Sequence, residues 1–520
     1  VQSGNISAVL ADGPAAEVRN LWKTTSGTAS LLAINTYSGQ TFIEEGTLNA
    51  GVLTNSGNYS FGSNTTANIL LGNVTSGTAG LMGYVGTTDV DFNRTVEMLT
   101  SNSGLSASGT GNLTYSGTIV NSVGAATNLV LDGTGSGLNT LTSLLADTGG
   151  NALSIRKMGS GRWVLDNTSN SFTGTISIED GTLGFLDPAS LAGASITVGT
   201  ATTLGTLEYV GSSDHSFTQA FALAGLGGGI GSSGTGNVTM SSVSFTKSAA
   251  STFVLSGLNT GDNIVNVALS DSSGGAGVLS ILKRDPGTWI LNQVNSYTGT
   301  TIVAGGTLRV GVAGAIPTTN TVYVGDGTLD YGTVSTNVGN LTLGGLADKQ
   351  GKVTIGASNT LTLVGTNLSY ISDNNGLGGL ISGGTLSLGA TQKNIDVADS
   401  TNAPVDLEIS SLVSIASGIS LNKTGAGVLR LSNDSNAFNT SPIVSAGVME
   451  FTSLTDAGLA SAVGTSNPTL STGTWRYVGG DASSNRDITF TSSSGRFESN
   501  NALGTTLTLN GAIGSSSGDR

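Results

Sequence analysis

One phrase, spoken four times, limits what this chain can fold into more than any other feature. Its fullest form is KMGSGRWVLDNTSNSFTGTISIEDGTL at residues 157–183. It returns as KRDPGTWILNQVNSYTGTTIVAGGTL (283–308), KTGAGVLRLSNDSNAFNTSPIVSAGVM (423–449) and, more loosely, KTTSGTASLLAINTYSGQTFIEEGTL (23–48). Each copy runs from a lysine through a Gly-rich turn and a strand to an aromatic, with a glycine nine positions later. The pairs are Tyr37 and Gly46, Phe172 and Gly181, Tyr297 and Gly306, Phe438 and Gly447. Lys23, Lys157, Lys283 and Lys423 open the four copies, always 23 or 24 positions before the glycine. Self-similarity of this kind marks a repeat array, here with a unit of about 125–140 residues.

Other phrases keep their order between the copies. A tyrosine-ended strand recurs as GLMGYVG, GTLEYVG, GTLDYG and GTWRYVG, ending near Tyr84, Tyr209, Tyr331 and Tyr477. An acid-ended one recurs as AVLAD, SLLAD and VALSD, at Asp12, Asp147 and Asp271. The chain is therefore expected to comprise four units, 1–155, 156–281, 282–421 and an incomplete 422–520. NGAIGSSSGDR, from Asn510, repeats the phase of SGNISAVLADG, from Ser3. That phase points to a segment of a longer array or a subunit that stacks end to end.

Within each unit the period is two. Trp163 and Leu165 share one face of GRWVLDN, and Trp289 and Leu291 share one face of GTWILNQ. Short strands are separated by Gly, Ser, Asn and Asp, residues suited to turns. There are 79 glycines, and charged residues make up 10% of the chain, far below the roughly 25% of globular domains. A β-sandwich would want separate cores and clearer linkers, and a propeller would want shorter repeats of about 40–50 residues. A parallel β-helix, or β-solenoid, fits best, because like charges stacked about 4.8 Å apart on successive coils repel. With coils of about 20–25 residues, the reading predicts some 21–26 coils, about six per unit. The aromatic is then expected to cover the coil where a loop leaves it. The recurring glycine turns the backbone into a strand whose Leu183, Leu308 or Met449 points inward. The lysine reads as an exposed turn residue paired with a nearby acid, a contact worth little.

Site chemistry is sparse. The chain has no cysteine and one histidine, His215, so neither thiolate clusters nor multi-histidine metal sites can form, and no cofactor is expected. A formal charge of −14 disfavours nucleic acid and anionic membranes as partners. No apolar run is long enough for a transmembrane helix, and the start, VQSGNISAVLADG, resembles neither a signal peptide nor an initiator methionine. A mature product or an excised piece is expected. Three thin charged clusters are the densest candidates for polysaccharide chemistry: Asp89, Asp91 and Arg94; Glu208, Asp214 and His215; Lys283, Arg284 and Asp285. Each reads as solvated loop charge. No Gly- and Asp-bearing calcium nonapeptide, phosphate loop or nucleophile elbow occurs. The Asn64, Asn73 and Asn237 sequons are what an Asn-, Ser- and Thr-rich chain contains by chance.

The pattern K-x-G-x-G-x-x-x-L, then F/Y-T/S-G-x-T, then G-T-L resembles the autotransporter-associated β-strand repeat, most fully in the copy at Lys157. The copy at Lys23 lacks the first motif glycine, Asp285–Pro286 replaces it in the third copy, and Thr440 stands where the fourth would carry a glycine. The resemblance implies a right-handed parallel β-helix on the exterior of a bacterium. The function expected is a non-enzymatic structural stalk, layer or fibre segment, self-associating end to end or belonging to a longer parent chain. The alternative is an adhesin binding surface glycan or host protein through loops such as residues 212–219 or 225–236. A polysaccharide lyase is the third reading.

Overall fold

The computed structural model describes residues 4–13, 17–242, 244–271, 277–346, 349–372, 376–391, 393–500 and 504–516. Residues 1–3 and 517–520, part of the phase match between the two termini, lie outside them. The fold is all-β with 1% helix, its strands winding into a parallel β-solenoid of about 21 turns. The expectation of a solenoid is met, at the lower edge of the predicted coil number. The chain divides into two compact units, residues 1–259 with 272–277 and residues 260–271 with 278–520.

In the first unit the period-two pattern does the building. Strand Leu153–Lys157 buries Leu153, Ile155 and Lys157 and turns Ser154 and Arg156 outward. Its register passes from turn to turn: Arg156 pairs with Ser177, Ser177 with Thr197, and Thr197 with Ala222. Because side chains alternate, one face is fixed as core through every turn, whatever the length of the connecting loops. Trp163, Leu183, Leu207, Ile230 and Leu255 thus stack in one column, each fully buried. Burying such a side chain contributes about 1.5–3 kcal/mol.

The second unit repeats this column as Trp289, Leu308, Leu329, Val353 and Ile381. It also adds something the low charge content hid. Glu408, Arg430, Glu450, Arg476 and Glu498 occupy one outward position on five successive turns. Arg430 and Glu450 approach to 2.7 Å, Arg476 and Glu450 to 3.2 Å, and Arg476 and Glu498 to 2.9 Å. Stacking forbids like charges, and alternation of sign satisfies that rule without removing the charges.

Loops leave each unit at equivalent points, just after the G-T-L strand. Residues 51–68 follow strand Thr41–Ala50, and residues 186–195 follow strand Gly181–Phe185. In the second unit, residues 311–320 follow strand Thr301–Val310, and residues 452–468 follow strand Val448–Phe451. Each unit thus carries one long loop and one short one. The shorter loop of the first unit contains a 3₁₀ turn, Pro188–Leu191, capped by the side chain of Asp187.

Candidate functional site

The recurring lysine is buried. Lys23, Lys157, Lys283 and Lys423 are each 0% exposed, so the expected exposed turn residue is not what the fold contains. The Lys157 ammonium donates to the carbonyl oxygens of Met158 (2.6 Å), Gly159 (2.7 Å) and Asp180 (3.2 Å). Lys283 does the same with Arg284 (2.6 Å), Asp285 (2.7 Å) and Gly305 (3.0 Å). Lys423 matches it with Thr424 (2.7 Å), Gly425 (2.7 Å) and Ala446 (3.2 Å). Lys23 reaches the Thr25 and Glu45 carbonyls. In every copy the ammonium joins carbonyls of its own turn to one on the next, a staple between coils.

The backbone is shaped to receive it. Gly159, Asp285 and Gly425, two positions after their lysines, have φ of 66°, 61° and 76°. This left-handed conformation turns successive carbonyls toward the ammonium, and Asp tolerates it better than most residues, which accounts for its presence in the third copy. On the facing turn Gly181 has φ 64°, and a Cβ there would lie 2.4 Å from the Gly161 oxygen and 2.5 Å from that of Gly159. Gly46, Gly306 and Gly447 are equally confined. The nine-residue gap therefore records where two turns touch backbone to backbone.

Burial pulls Lys157, Lys283 and Lys423 down to about 8, against the opposing pull of nearby acids: Asp132 and Asp180, Asp285 and Asp326, Asp396 and Asp406 respectively. Lys23 is lowered for the same reason. With its N–H groups directed at carbonyls, such an amine is placed to hold turns together and has no geometry for proton transfer to a ligand.

The aromatics are core residues. Tyr37, Phe172, Tyr297 and Phe438 are at most 5% exposed. Tyr37 and Tyr297 each place their hydroxyl 2.7 Å from the threonine four positions on, Thr41 or Thr301. Where the aromatic is Phe, that position holds Ile176 or Pro442. Two positions before each aromatic lies an asparagine that the sequence reading missed, although it is present in all four phrases: Asn35, Asn170, Asn295 and Asn436. Each accepts from a backbone N–H of the preceding turn and donates to a carbonyl of the following one. For Asn170 these are Leu145 (2.9 Å) and Ser190 (2.8 Å), and for Asn295, Leu269 (2.8 Å) and Ala315 (2.7 Å). Asn35 takes Leu10 (2.8 Å) and Ser60 (2.5 Å), and Asn436 takes Val413 (2.7 Å) and Ala462 (2.9 Å).

The acid-ended phrase has a similar task. Asp147 accepts from the Thr173 N–H and hydroxyl (3.0 and 2.6 Å), and Asp271 from those of Thr298 (3.1 and 2.5 Å). Asp12 accepts from the Ser38 N–H (3.0 Å). These hydrogen bonds hold the Asp12 and Asp147 carboxyls below the usual range. The tyrosine-ended strands also close on backbone: the hydroxyls of Tyr84, Tyr209 and Tyr477 donate to the carbonyls of Thr88, Ser213 and Gly480. GTLDYG lacks the valine that follows tyrosine in the other three, and the buried Tyr331 hydroxyl there has no partner among the described residues.

The three charged clusters do not converge on a site. Asp89 accepts from the Asn112 N–H (2.8 Å), Asp91 from the Ser116 hydroxyl (2.5 Å), and Arg94 is buried, 5% exposed, facing Tyr59. Glu208 pairs with Arg162 (2.8 Å), Asp214 accepts from the Asn237 N–H (2.8 Å), and His215 lies 3.4 Å from Asp187. Arg284 and Asp285 are half-exposed and 3.8 Å apart, while Lys283 faces backbone. Among the described residues no three His, Asp or Glu side chains gather as a metal site would require. Two of the sequons are local turns, Asn64 and Asn73 each accepting from the N–H two residues on (3.1 and 2.9 Å).

Four segments, residues 23–50, 155–184, 281–310 and 421–448, match the model of the passenger-associated-transport-repeat. They coincide with the four phrases and contain the recurring lysine, aromatic and glycine of each. A protein named adhesin BmaC autotransporter, from Brucella suis biovar 1 (strain 1330), is 28% identical over 369 residues. That match covers 65% of this chain and 10% of the relative. No solved structure matches the chain.

Proposed function

We propose that this passenger-type β-solenoid, a chain of the bacterial cell surface or exterior, is a non-enzymatic structural scaffold. The observation that carries the reading is where the recurring polar groups go. In all four copies the lysine and the asparagine bind backbone of neighbouring turns. Conserving such groups four times within one chain serves stiffness from turn to turn. Limited proteolysis checks this: the chain stays intact at protease doses that degrade a reference domain of similar size, and it leaves a broad polysaccharide panel unchanged. Rapid cleavage throughout the turns, or unsaturated sugar products, would retire the scaffold reading.

The finer features follow from the same proposal. The four phrases mark four successive structural units, and copies associate end to end by the parallel pairing that already joins turn to turn. Electron microscopy at rising concentration tests the association: filaments are expected, and dispersed particles at every concentration count against it. The similar Brucella protein is named an adhesin, which favours adhesion as a second reading. Residues 212–219 and 225–236, expected as binding loops, contain the coil strands His215–Phe217 and Gly227–Ser232 and are not loops. Attachment of the purified chain to host cells would support adhesion through other surface, and absence of attachment would remove it.

A further inference from the structure

Two peptide bonds of this chain join an aspartate to a proline, Asp187–Pro188 and Asp285–Pro286. Such a bond carries its own nucleophile, because the side-chain carboxylate can close a small ring on the adjacent carbonyl carbon. The proline nitrogen, part of a tertiary amide, is also a better leaving group than an ordinary amide nitrogen. The fold treats the two bonds differently. Asp187 is extended, with φ −143° and ψ 138°, and its carbonyl accepts from the Ser190 N–H (3.0 Å) and hydroxyl (2.7 Å). Its carboxylate accepts from the Ala189 N–H (2.8 Å) and lies 3.4 Å from His215.

Asp285 instead has φ 61°, at the position where the copies at Lys157 and Lys423 place Gly159 and Gly425. A residue before proline is ordinarily extended, so this one is strained by its own side chain and by its neighbour. Its carbonyl oxygen accepts at 2.7 Å from the ammonium of Lys283, a side chain with no exposed surface. Gly306 on the next turn closes over that oxygen, since a Cβ there would lie 2.4 Å from it and 2.7 Å from the Lys283 nitrogen. A buried cation against a carbonyl oxygen stabilises the charge that develops there in acyl transfer. In the other copies the equivalent stapled carbonyls belong to Thr25, Gly159 and Gly425, none with a carboxyl side chain. The third copy alone joins carboxylate, cation and proline at one bond. The other charged groups near it are Arg284, 3.8 Å from the Asp285 carboxylate, and Asp326, which acts on Lys283 and accepts from the Gly327 N–H (2.7 Å).

We propose that Asp285–Pro286 is a self-cleaving bond, cut by the Asp285 carboxylate while Lys283 holds the oxyanion. The carboxylate oxygen bonds to the Asp285 carbonyl carbon, and negative charge passes to the carbonyl oxygen facing Lys283. Collapse breaks the carbon–nitrogen bond, and the Pro286 nitrogen leaves with a proton taken from solvent. The cyclic anhydride left on Asp285 then takes up one water, which restores the side-chain carboxyl and leaves a free α-carboxyl. The sum is hydrolysis of one peptide bond, with no redox change. Strands Leu279–Lys283 and Thr288–Leu291, on either side of the cut, each pair with Thr301–Val310. The nicked chain therefore stays assembled, and the scaffold reading stands whether or not the bond is cut.

Incubation of the full chain at mildly acidic pH, followed by denaturing gel, native gel and mass spectrometry, tests the proposal. One cut with Pro286 as the new N-terminus is expected, with the native band unchanged. In the folded chain it should outpace cleavage at Asp187–Pro188 by about tenfold or more, and in urea the two rates should converge. Asp285→Gly, which installs the residue of the second and fourth copies, should abolish the cut and preserve the thermal melt. Lys283→Met should slow the cut, whereas loosening of the turn would by itself expose the bond and speed it. Equal rates at the two bonds in the folded chain would overturn the proposal, as would a faster cut at Asp285 after unfolding. So would acceleration in Lys283→Met, or no cut at all.

Discussion

Each unit contains one turn with a long loop and one with a short loop, and the two are held in different ways. Residues 51–68 and 452–468 fold back on the aromatic of their own repeat through the same device. Gly62 and Gly464, with φ of 87° and 80°, lie so close to Tyr37 and Phe438 that a Cβ would meet the aromatic's carbonyl at 2.5 and 2.4 Å. The N–H groups of Ser63 and Thr465 then donate to those same carbonyls, each at 2.8 Å. Both loops still carry carbonyls facing inward, and an arginine from the next turn collects them. Arg94 donates to the Asn64 and Ala67 carbonyls and to the Tyr59 hydroxyl. Arg486, 0% exposed, donates to the carbonyls of Thr455 (2.8 Å), Ser466 (2.6 Å), Leu459 (2.8 Å) and Gly464 (2.7 Å).

The short loops manage without a cation. In the first unit Gln219 reaches the Pro188 carbonyl at 3.5 Å. In the second, Gly339 brings backbone directly against the loop, where a Cβ would lie 2.3 Å from the Asn320 oxygen. The lesson is that loop length sets the number of inward carbonyls, and that number sets the donor. A guanidinium offers five N–H donors in a fixed fork, an amide two, a glycine none but room.

The comparison breaks first at Arg486. Arg486→Met keeps the packing volume and leaves several buried carbonyls unpaired, so it should cost about 3–5 kcal/mol. Loop 452–468 should become the first site of proteolysis. Gln219→Met, tested beside it, should cost less than about 1 kcal/mol, since it removes one long bond at a half-buried position. Equal losses by chemical denaturation would show that loop length does not decide the donor.

Lys157→Met supplies a control common to long and short turns. Removing the ammonium strands three carbonyls and should cost about 3 kcal/mol at neutral pH. The pH dependence has a definite sign. Because burial holds the folded group near 8, against 10.5 for an ordinary exposed lysine, the folded chain releases this proton first. The lysine's contribution therefore rises with pH between those values and falls back to its lower level as pH drops through 8. The gap in stability between wild type and Lys157→Met should widen from pH 7 to pH 10. The guanidiniums stay protonated over that range, so the gap for Arg486→Met should stay constant, and a parallel widening would contradict the separation of the two devices.

Much of this was legible in the sequence. The parallel coils, the inward Trp163 and Trp289 and the confinement of Gly181 and Gly306 follow from period-two alternation and the nine-residue gap. The lysines were misread because a lysine beside a Gly-rich turn looks solvated, and its partners are carbonyls, which leave no mark in a sequence. Asn35, Asn170, Asn295 and Asn436 were visible at constant spacing but hidden by the abundance of asparagine. Arg94 and Arg486 lie a full turn from the loops they hold, and only the coil register brings them there. The alternating column from Glu408 to Glu498 was hidden for the same reason, since its members are separated by whole turns.

The aromatic position offers the smallest and sharpest test, because it does not follow loop length. Tyr37 belongs to a long-loop turn and Tyr297 to a short one, and Phe438 and Phe172 divide the same way. What the aromatic follows is the residue four positions on: threonine with tyrosine, an apolar residue with phenylalanine. Phe172→Tyr should therefore cost about 1–2 kcal/mol, since a buried hydroxyl would face Ile176 without a partner. Adding Ile176→Thr should restore the hydrogen bond seen at Tyr297 and Thr301 and recover about 1 kcal/mol of that loss. Ile176→Thr alone should be destabilising, so the coupling in a double-mutant cycle has a predicted sign. If the double variant is merely the sum of the two singles, the pair does not act as a unit, and the tyrosine–threonine match in two copies is coincidence. If it recovers, the turn has separable parts: a donor chosen by loop length, and an aromatic chosen by its neighbour four residues along the chain.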